Sequence, residues 1–381
     1  MKNIMVFDTS IDGHHLEYIH HIHEAACEKF HNLQFFFAVP KEFKQQSNKF
    51  SWESCNWVKI VYIDSNDIQK CDKGNYFTKA WNYSKILKKY TQLYNIDELF
   101  LITLIYPYPF LPLFLNSKTK VSGIIYRIYL YEWKLSSFIK KCKDAFEMWI
   151  MTKSKTTKSI FVLNDHSATC YFNKLFNVNK FKFIIDPILP LSYTSQNIRN
   201  QLGIDESERV YLHFGAMTKR KGTLDILDAI EMLSEKELNG KVFVFAGKIK
   251  NTIKNAFYER KQRLEKKAKI IVYDQFCSYE FLSDLCNSCD VVLVPYKNTS
   301  YSSGVLGYVA LFNKMVIGPK EGLLGKLIRR NNLGYAKTSM DAKNLARVIA
   351  AEQEATFSGK NYVSKNDVKT FTNIIFEALV D

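Results

Sequence analysis

The feature that most limits what this chain can fold into is an alternation that runs through it twice. Short apolar runs are each closed by a polar or glycine-containing turn and followed by a helical pattern. In the first half, residues 3–7, 34–39, 58–63, 98–105, 123–128 and 159–164 read as strands, with helices over 14–30, 83–94 and 137–151. Apolar runs without a two-residue alternation belong to strands buried on both faces, which means parallel strands with helices on either side. After a strand over 183–190 and a polar stretch over 191–200, the pattern resumes. Strands are expected at 210–214, 241–246, 269–272, 291–295 and 315–317, with helices at 223–234, 279–288 and 303–312. The expectation is two doubly wound, Rossmann-like α/β domains facing across a cleft, over 1–190 and 191–365. Residues 366–381 read as a closing amphipathic helix.

Composition narrows the function classes. The chain has 381 residues, with 53 Lys and Arg against 38 Asp and Glu, and the excess of +15 is divided between both halves. Such a field attracts anions without choosing among them. The eight cysteines are scattered, and the start has no apolar run of signal-peptide length, so reduced thiols and a cytoplasmic location are expected. Cys286 and Cys289 lack a second pair at metal-ligand spacing and read as one face of a helix. The apolar run over 99–115 contains Pro107, Pro109 and Pro112, which forbid a continuous membrane-spanning helix.

Three loops carry residues suited to chemistry. In VLVPYKNTSYSSGVLGYVALFNKMVIG (292–318), a buried strand runs into hydroxyl-bearing residues, and a helix is expected to begin near Ser302 or Ser303. Amides at a helix start, the hydroxyls of Thr299, Ser300, Ser302 and Ser303, and the bare backbone of Gly304 suit a phosphate or diphosphate, although a plain serine cap would look the same. In LHFGAMTKRKG (212–222), Lys219, Arg220 and Lys221 crowd the turn after Gly215, where a cation can neutralise a leaving diphosphate or simply be solvated. In DTSIDGHHLEY (8–18), Gly13 admits a ligand to the backbone, and His14 or His15 can position a hydroxyl or take its proton. Asp12 is a weaker alternative base.

The second half resembles the nucleotide-sugar-binding domain of retaining glycosyltransferases with the GT-B fold, especially family 4. Gly215…Lys221-Gly222 matches that family's glycine–arginine…lysine–glycine turn, with Ala216 where the arginine stands. Residues 276–295 match its helix and strand before the donor loop, and 322–334 resemble its later glycine-rich stretch. The family's two glutamates fall at Ser300 and Tyr308. The resemblance implies that Gly215, Lys219, Arg220, Lys221, Ser300, Ser302, Ser303, Gly304 and Tyr308 surround a nucleotide-diphosphate donor. It implies catalytic roles for Lys221, His14 and His15, acceptor contacts from Gly13 and Arg127, and a closing helix over 366–381 that packs back on the first domain. A hexosyl transfer with retention to a glycan or lipid-linked hydroxyl, in surface polysaccharide synthesis, follows from it, with no metal or other cofactor. Loss of both glutamates also fits a non-catalytic nucleotide-sugar or glycan-binding protein of the same fold.

Other features leave alternatives open. Arg127 can meet a phosphate or form a structural ion pair. Asp165 reads as a helix cap. The histidines over 14–23 read as helix-surface residues, because no single face collects three metal ligands. Over 133–158, seven lysines interleave with aromatics, and Phe138, Cys142, Phe146 and Trp149 share one helical face. That face is expected in the core, with docking on an anionic membrane as the alternative. No nucleic-acid-binding module is recognisable.

Overall fold

The computed structural model describes all residues except 11–13, 47–51, 53–54, 190, 192, 195–197, 353–354 and 381. The chain divides into two compact units, Met1–Asp186 with Val368–Asp381, and Pro187–Asp367. The first unit holds β1 (Asn3–Phe7), β2 (Gln34–Pro40), β3 (Val58–Ile63), β4 (Glu98–Leu101), β5 (Lys120–Ile125), β6 (Thr157–Leu163) and β7 (Phe181–Ile184). They form one sheet in the order β3-β2-β1-β4-β5-β6-β7, and every neighbouring pair is parallel. The second unit holds β8 (Arg209–Phe214), β9 (Lys241–Ala246), β10 (Lys269–Tyr273), β11 (Val291–Leu293), β12 (Met315–Ile317) and β13 (Gly334–Tyr335). Their order is β10-β9-β8-β11-β12-β13, again wholly parallel.

Both sheets share one consequence. The chain builds outward from β1 through β2 and β3, then returns to the other side of β1 with β4. It does the same around β8, with β9 and β10 on one side and β11 on the other. The crevices beyond the carboxyl ends of β1/β4 and β8/β11 are therefore topological switch points, where open α/β sheets bind ligands. Each sheet is held by its own apolar layer. In the first unit Ile4, Val6, Phe35, Phe37, Phe100 and Phe161 are buried together with Phe371, Ile375 and Phe376 of the final helix, Val368–Val380. In the second, Tyr211, Phe243 and Phe245 pack with Ile226, Ile230 and Phe257.

Three expectations need correction. The strand expected over 98–105 stops at Leu101, and residues 102–110 turn instead: the Leu104 amide still donates to the Ile124 carbonyl at 2.9 Å, and Ser84 donates its hydroxyl to the Pro107 carbonyl at 2.9 Å. The helix Phe138–Lys153 turns its expected core face outward: Phe138 is 79% exposed, Phe146 and Trp149 51% each, and Cys142 is exposed as well. Its buried side carries Asp144, Glu147, Met148 and Met151, because cations meet both acids there: Arg127 pairs with Asp144 at 2.9 Å and Lys143 with Glu147 at 3.5 Å. Finally, Cys27 and Cys55 form a disulfide in place of the expected thiols. The strand pairing of β2 with β3, which runs from Phe35/Val58 onward, brings the flanks of these two segments together. The other six cysteines are free.

Candidate functional site

At the β8/β11 switch point, two loops are joined through backbone. β8 ends at Phe214, and Gly215 follows with φ +89°, a left-handed conformation that a side chain disfavours. Thr218 caps a short 3₁₀ turn, Lys219–Lys221, by accepting from the Lys221 amide at 3.2 Å. Gly222 (φ +70°) then lets the turn lie against the neighbouring loop: a Cβ there would come within 2.1 Å of the Pro295 carbonyl oxygen. The Lys297 amide donates to the Arg220 carbonyl at 2.8 Å, and the Lys297 ammonium pairs with Asp225 at 2.6 Å. Beneath this junction His213 is buried, with Nδ1 2.9 Å from the Leu293 carbonyl of β11 and Nε2 3.0 Å from the Thr223 hydroxyl. Burial pushes its pKa down to about 4, so at neutral pH it is an uncharged brace between the two strands.

These constraints put Lys221 in a particular position. It is half-buried, its Nζ lies 2.9 Å from where a Cβ on Gly215 would stand, and it sits 5.3 Å from the centre of the Tyr296 ring. Among the described residues no carboxylate pairs with it, nor with the exposed Lys219 and Arg220. A cation held in place without an anion is able to receive an anionic ligand.

The second loop supplies polar groups beside it. Ser300 is buried and its amide donates to the Asn298 side chain at 3.0 Å, while Ser303 donates to the Tyr296 hydroxyl at 3.4 Å. Ser302, Ser303 and Gly304 are half-buried, and the helix that follows runs Val305–Leu311, starting two residues later than expected. Tyr308 meets Phe214 edge-on, with ring centres 5.3 Å apart, which ties this helix to the end of β8. The residues at the two glutamate positions thus lie in a turn and in an aromatic contact.

At the β1/β4 switch point the two adjacent histidines separate. His15 places Nδ1 2.5 Å from Asp8 Oδ2 and stacks on Tyr126, with ring centres 5.8 Å apart. Asp8 is buried, and its other oxygen accepts from the Ser10 amide at 3.0 Å. Burial raises the Asp8 pKa, against the opposing pull of His15. A carboxylate fixed on Nδ1 leaves His15 Nε2 as the ring's available proton acceptor, the arrangement a positioned base requires. His14 instead pairs with Glu17 at 3.2 Å and is more exposed. Sequence reasoning weighed His14 and His15 alike and missed Asp8 as their discriminator. The available signal was an acid at the end of β1, seven residues before His15. Gly13 and Asp12 lie outside the described residues.

Arg127 and Asp165 both take structural roles, the ion pair left open for the first and the cap expected for the second. The Arg127 guanidinium binds Asp144 through both terminal nitrogens, at 2.9 and 3.3 Å, and Glu132 at 2.9 Å. It forms a structural ion-pair network, and a phosphate would have to compete with two carboxylates. Asp165 caps the helix after β6, accepting from the Ser167 and Ala168 amides at 3.1 and 3.2 Å. The expected surface histidines His20, His21 and His23 are buried.

Comparison with known proteins agrees with this organisation. Residues 194–352 match the family Glycosyl transferases group 1. Among solved structures, Anabaena Alr3699/HepE in complex with UDP and glucose superposes with a TM-score of 0.70 at 16% identity, covering 100% of both chains. The same protein in complex with UDP-glucose gives 0.71 at 14%, again over 100% of both. WaaG, a glycosyltransferase involved in lipopolysaccharide biosynthesis, gives 0.69 at 13% over 99% of each chain. No curated protein matches the chain by sequence. The fold is GT-B, with two Rossmann-like units, as the sequence resemblance implied. Among the described residues no helix is long and apolar enough to cross a membrane.

Proposed function

We propose that this protein is a glycosyltransferase that moves a hexosyl group from a nucleoside-diphosphate donor to a hydroxyl with retention of anomeric configuration. The observation that carries this reading is Lys221, a cation without an anionic partner among the described residues, at the β8/β11 switch point within the segment that matches group 1 glycosyl transferases. The donor's diphosphate lies against Lys221 and the amides and hydroxyls of 302–304, with Lys219 and Arg220 adding to the field. As the sugar–phosphate bond breaks, negative charge grows on the departing oxygen, and a preplaced ammonium stabilises that state more than the ground state. Charge neutralisation is assigned to the chain itself, with no metal in the step. That structures of Anabaena HepE hold UDP and UDP-glucose supports a uridine donor.

In this scheme the acceptor hydroxyl binds in the first unit. Nε2 of His15, held by Asp8 on the opposite nitrogen, takes the hydroxyl's hydrogen bond and then its proton. The Ser300 and Tyr308 positions take no carboxylate role, so sugar selection rests on the hydroxyls and aromatic rings around them. A role in surface polysaccharide assembly is in keeping with WaaG among the similar folds.

Peripheral contact with an anionic membrane belongs to the same reading. Phe138, Ile139, Phe146 and Trp149 are exposed on one helix, and Phe77, Trp81 and Leu113 are exposed in the same unit. Lysines attend the rings: Lys143 lies 3.5 Å from the Tyr76 ring centre and Lys85 5.7 Å from that of Trp81. Apolar rings flanked by ammonium groups suit the headgroup region of an acidic bilayer, where a lipid-linked acceptor lies.

The reading is tested by titrating UDP-, GDP-, CMP- and dTDP-sugars and the free nucleotides against thermal unfolding, followed by product analysis with the donor that binds. Binding of one nucleotide series with transfer supports the enzyme. Binding without transfer or hydrolysis across a broad acceptor panel favours the glycan-binding alternative, and no binding at all refutes the donor site.

A further inference from the structure

We propose that the helix His14–Lys29 carries a binding site for a divalent transition-metal ion of the zinc class, formed by His20, His21 and Glu24. His20 and Glu24 stand one turn apart, with Nε2 and Oε2 separated by 3.2 Å. His21 precedes Glu24 by three residues and brings Nδ1 to 3.9 Å from the same carboxylate oxygen. The three ligand atoms all lie within 4.8 Å of one another. Bonds of about 2.0–2.2 Å to nitrogen and oxygen imply ligand-to-ligand separations of about 3.3–3.5 Å around a tetrahedral ion, so side-chain adjustments of about 1 Å close the site.

The independent observation is His21 itself. Its side chain is buried, and neither ring nitrogen has a hydrogen-bond partner among the described residues. Buried polar groups are paired in the great majority of cases, and an imidazole with both nitrogens unpaired is costly. Ligation through Nδ1 would halve that deficit. It would also place positive charge between two imidazoles and the Glu24 carboxylate, whose 40% exposure leaves a route for the ion and an open position for water. Two imidazoles and one carboxylate suit zinc, cobalt or nickel better than calcium or magnesium, which prefer oxygen alone.

Sequence reasoning set a metal aside because it sought three ligands on one face. The structure instead uses adjacent residues on either side of a line through Glu24, a geometry that i, i+1, i+4 spacing permits on a helix. The neighbouring His23 is not part of the set: its ring lies edge-on to Phe37 and Trp52, at 5.4 and 4.9 Å between centres.

The test uses the full-length protein freed of metal by chelator and dialysis. Zinc chloride alone is titrated by calorimetry, and cobalt chloride by visible absorption. One ion per chain is expected, with a Tm rise on adding zinc and a cobalt spectrum of low coordination number dominated by nitrogen and oxygen. Glu24→Gln, at a half-exposed position that folding tolerates, should weaken zinc at least tenfold and abolish the Tm rise. His21→Gln should do the same, with circular dichroism confirming that it folds. Zinc binding that survives both substitutions in folded protein overturns the proposal, as does the absence of stoichiometric binding to the wild type. A sulfur-dominated cobalt spectrum would place the ion on the free cysteines and overturn it too.

Discussion

Replacing Lys221 by methionine removes a charge and keeps the length and the contact with Tyr296. Among the described residues no carboxylate pairs with Lys221, so the substitution breaks no ion pair there. The cation–π contact at 5.3 Å is worth about 0.5–1 kcal/mol at an exposed site, and a methionine–aromatic contact returns a similar amount. The stability of the ligand-free protein should therefore change by less than about 1 kcal/mol. Donor binding should respond quite differently. A hydrogen bond to a charged group contributes about 1.5–3 kcal/mol, and a loss of about 2 kcal/mol raises Kd roughly thirtyfold. A donor at about 100 times its Kd stabilises the wild type by about 2.7 kcal/mol; the same concentration would stabilise the variant by about 0.9 kcal/mol. At roughly 3 °C per kcal/mol for a domain of this size, the ligand-induced shift should fall from about 8 °C to about 3 °C. The assay is a thermal unfolding series with and without donor, backed by calorimetric Kd values. An unchanged Kd in folded protein would falsify the assigned diphosphate contact. A ligand-free Tm lowered by more than about 6 °C would show instead that Lys221 serves the fold, which refutes the reasoning from its missing partner.

Other expectations follow from the same geometry. Gly222→Ala combines a left-handed φ with a Cβ 2.1 Å from the Pro295 carbonyl oxygen, so urea denaturation should report a loss of about 2 kcal/mol or more, and donor affinity should fall with it. His213 has a folded pKa near 4, below its unfolded value near 6.5, so its contribution is present above pH 6.5 and lost as pH falls toward 4. Between pH 7 and pH 5 the wild type should therefore lose about 2 kcal/mol more stability than His213→Gln, and equal losses would refute the buried neutral assignment. Asp8→Asn should lower kcat at least tenfold with little change in donor Kd, since it disturbs the orientation of His15 and leaves Lys221 untouched; a variant with unaltered kcat removes the pair from the mechanism. Phe146→Ser with Trp149→Ser should weaken sedimentation with vesicles rich in anionic lipid while leaving Tm within about 2 °C, because both rings are half-exposed already.

The sequence alone determined the elements whose surroundings are uniform along the chain. The strands Asn3–Phe7, Val58–Ile63, Lys241–Ala246 and Met315–Ile317 and the helix Tyr279–Ser288 have the bounds their apolar patterns predict. A parallel strand covered on both faces, such as Lys241–Ala246, needs apolar residues throughout, so its extent is written locally, while Val58–Ile63 lies at the sheet edge with Lys59, Ile60 and Tyr62 exposed. The turn from Gly215 to Gly222 was legible for the same reason, since its glycines answer a backbone requirement. Tertiary structure alone decided which side of an amphipathic pattern faces inward. On the helix Phe138–Lys153 the aromatic face lies outside, and the inward side carries Asp144, claimed by Arg127 from beyond the end of β5, and Glu147, paired with Lys143 one turn earlier on the same helix. It also decided partners. Asp8 selects His15 over His14, Cys27 meets Cys55, His21 is buried beside Glu24, and the loops after β8 and β11 join through Lys297 and Arg220. Periodicity reports what kind of face a segment has. Strand order decides which faces meet, and strand order comes from contacts between residues far apart in the chain.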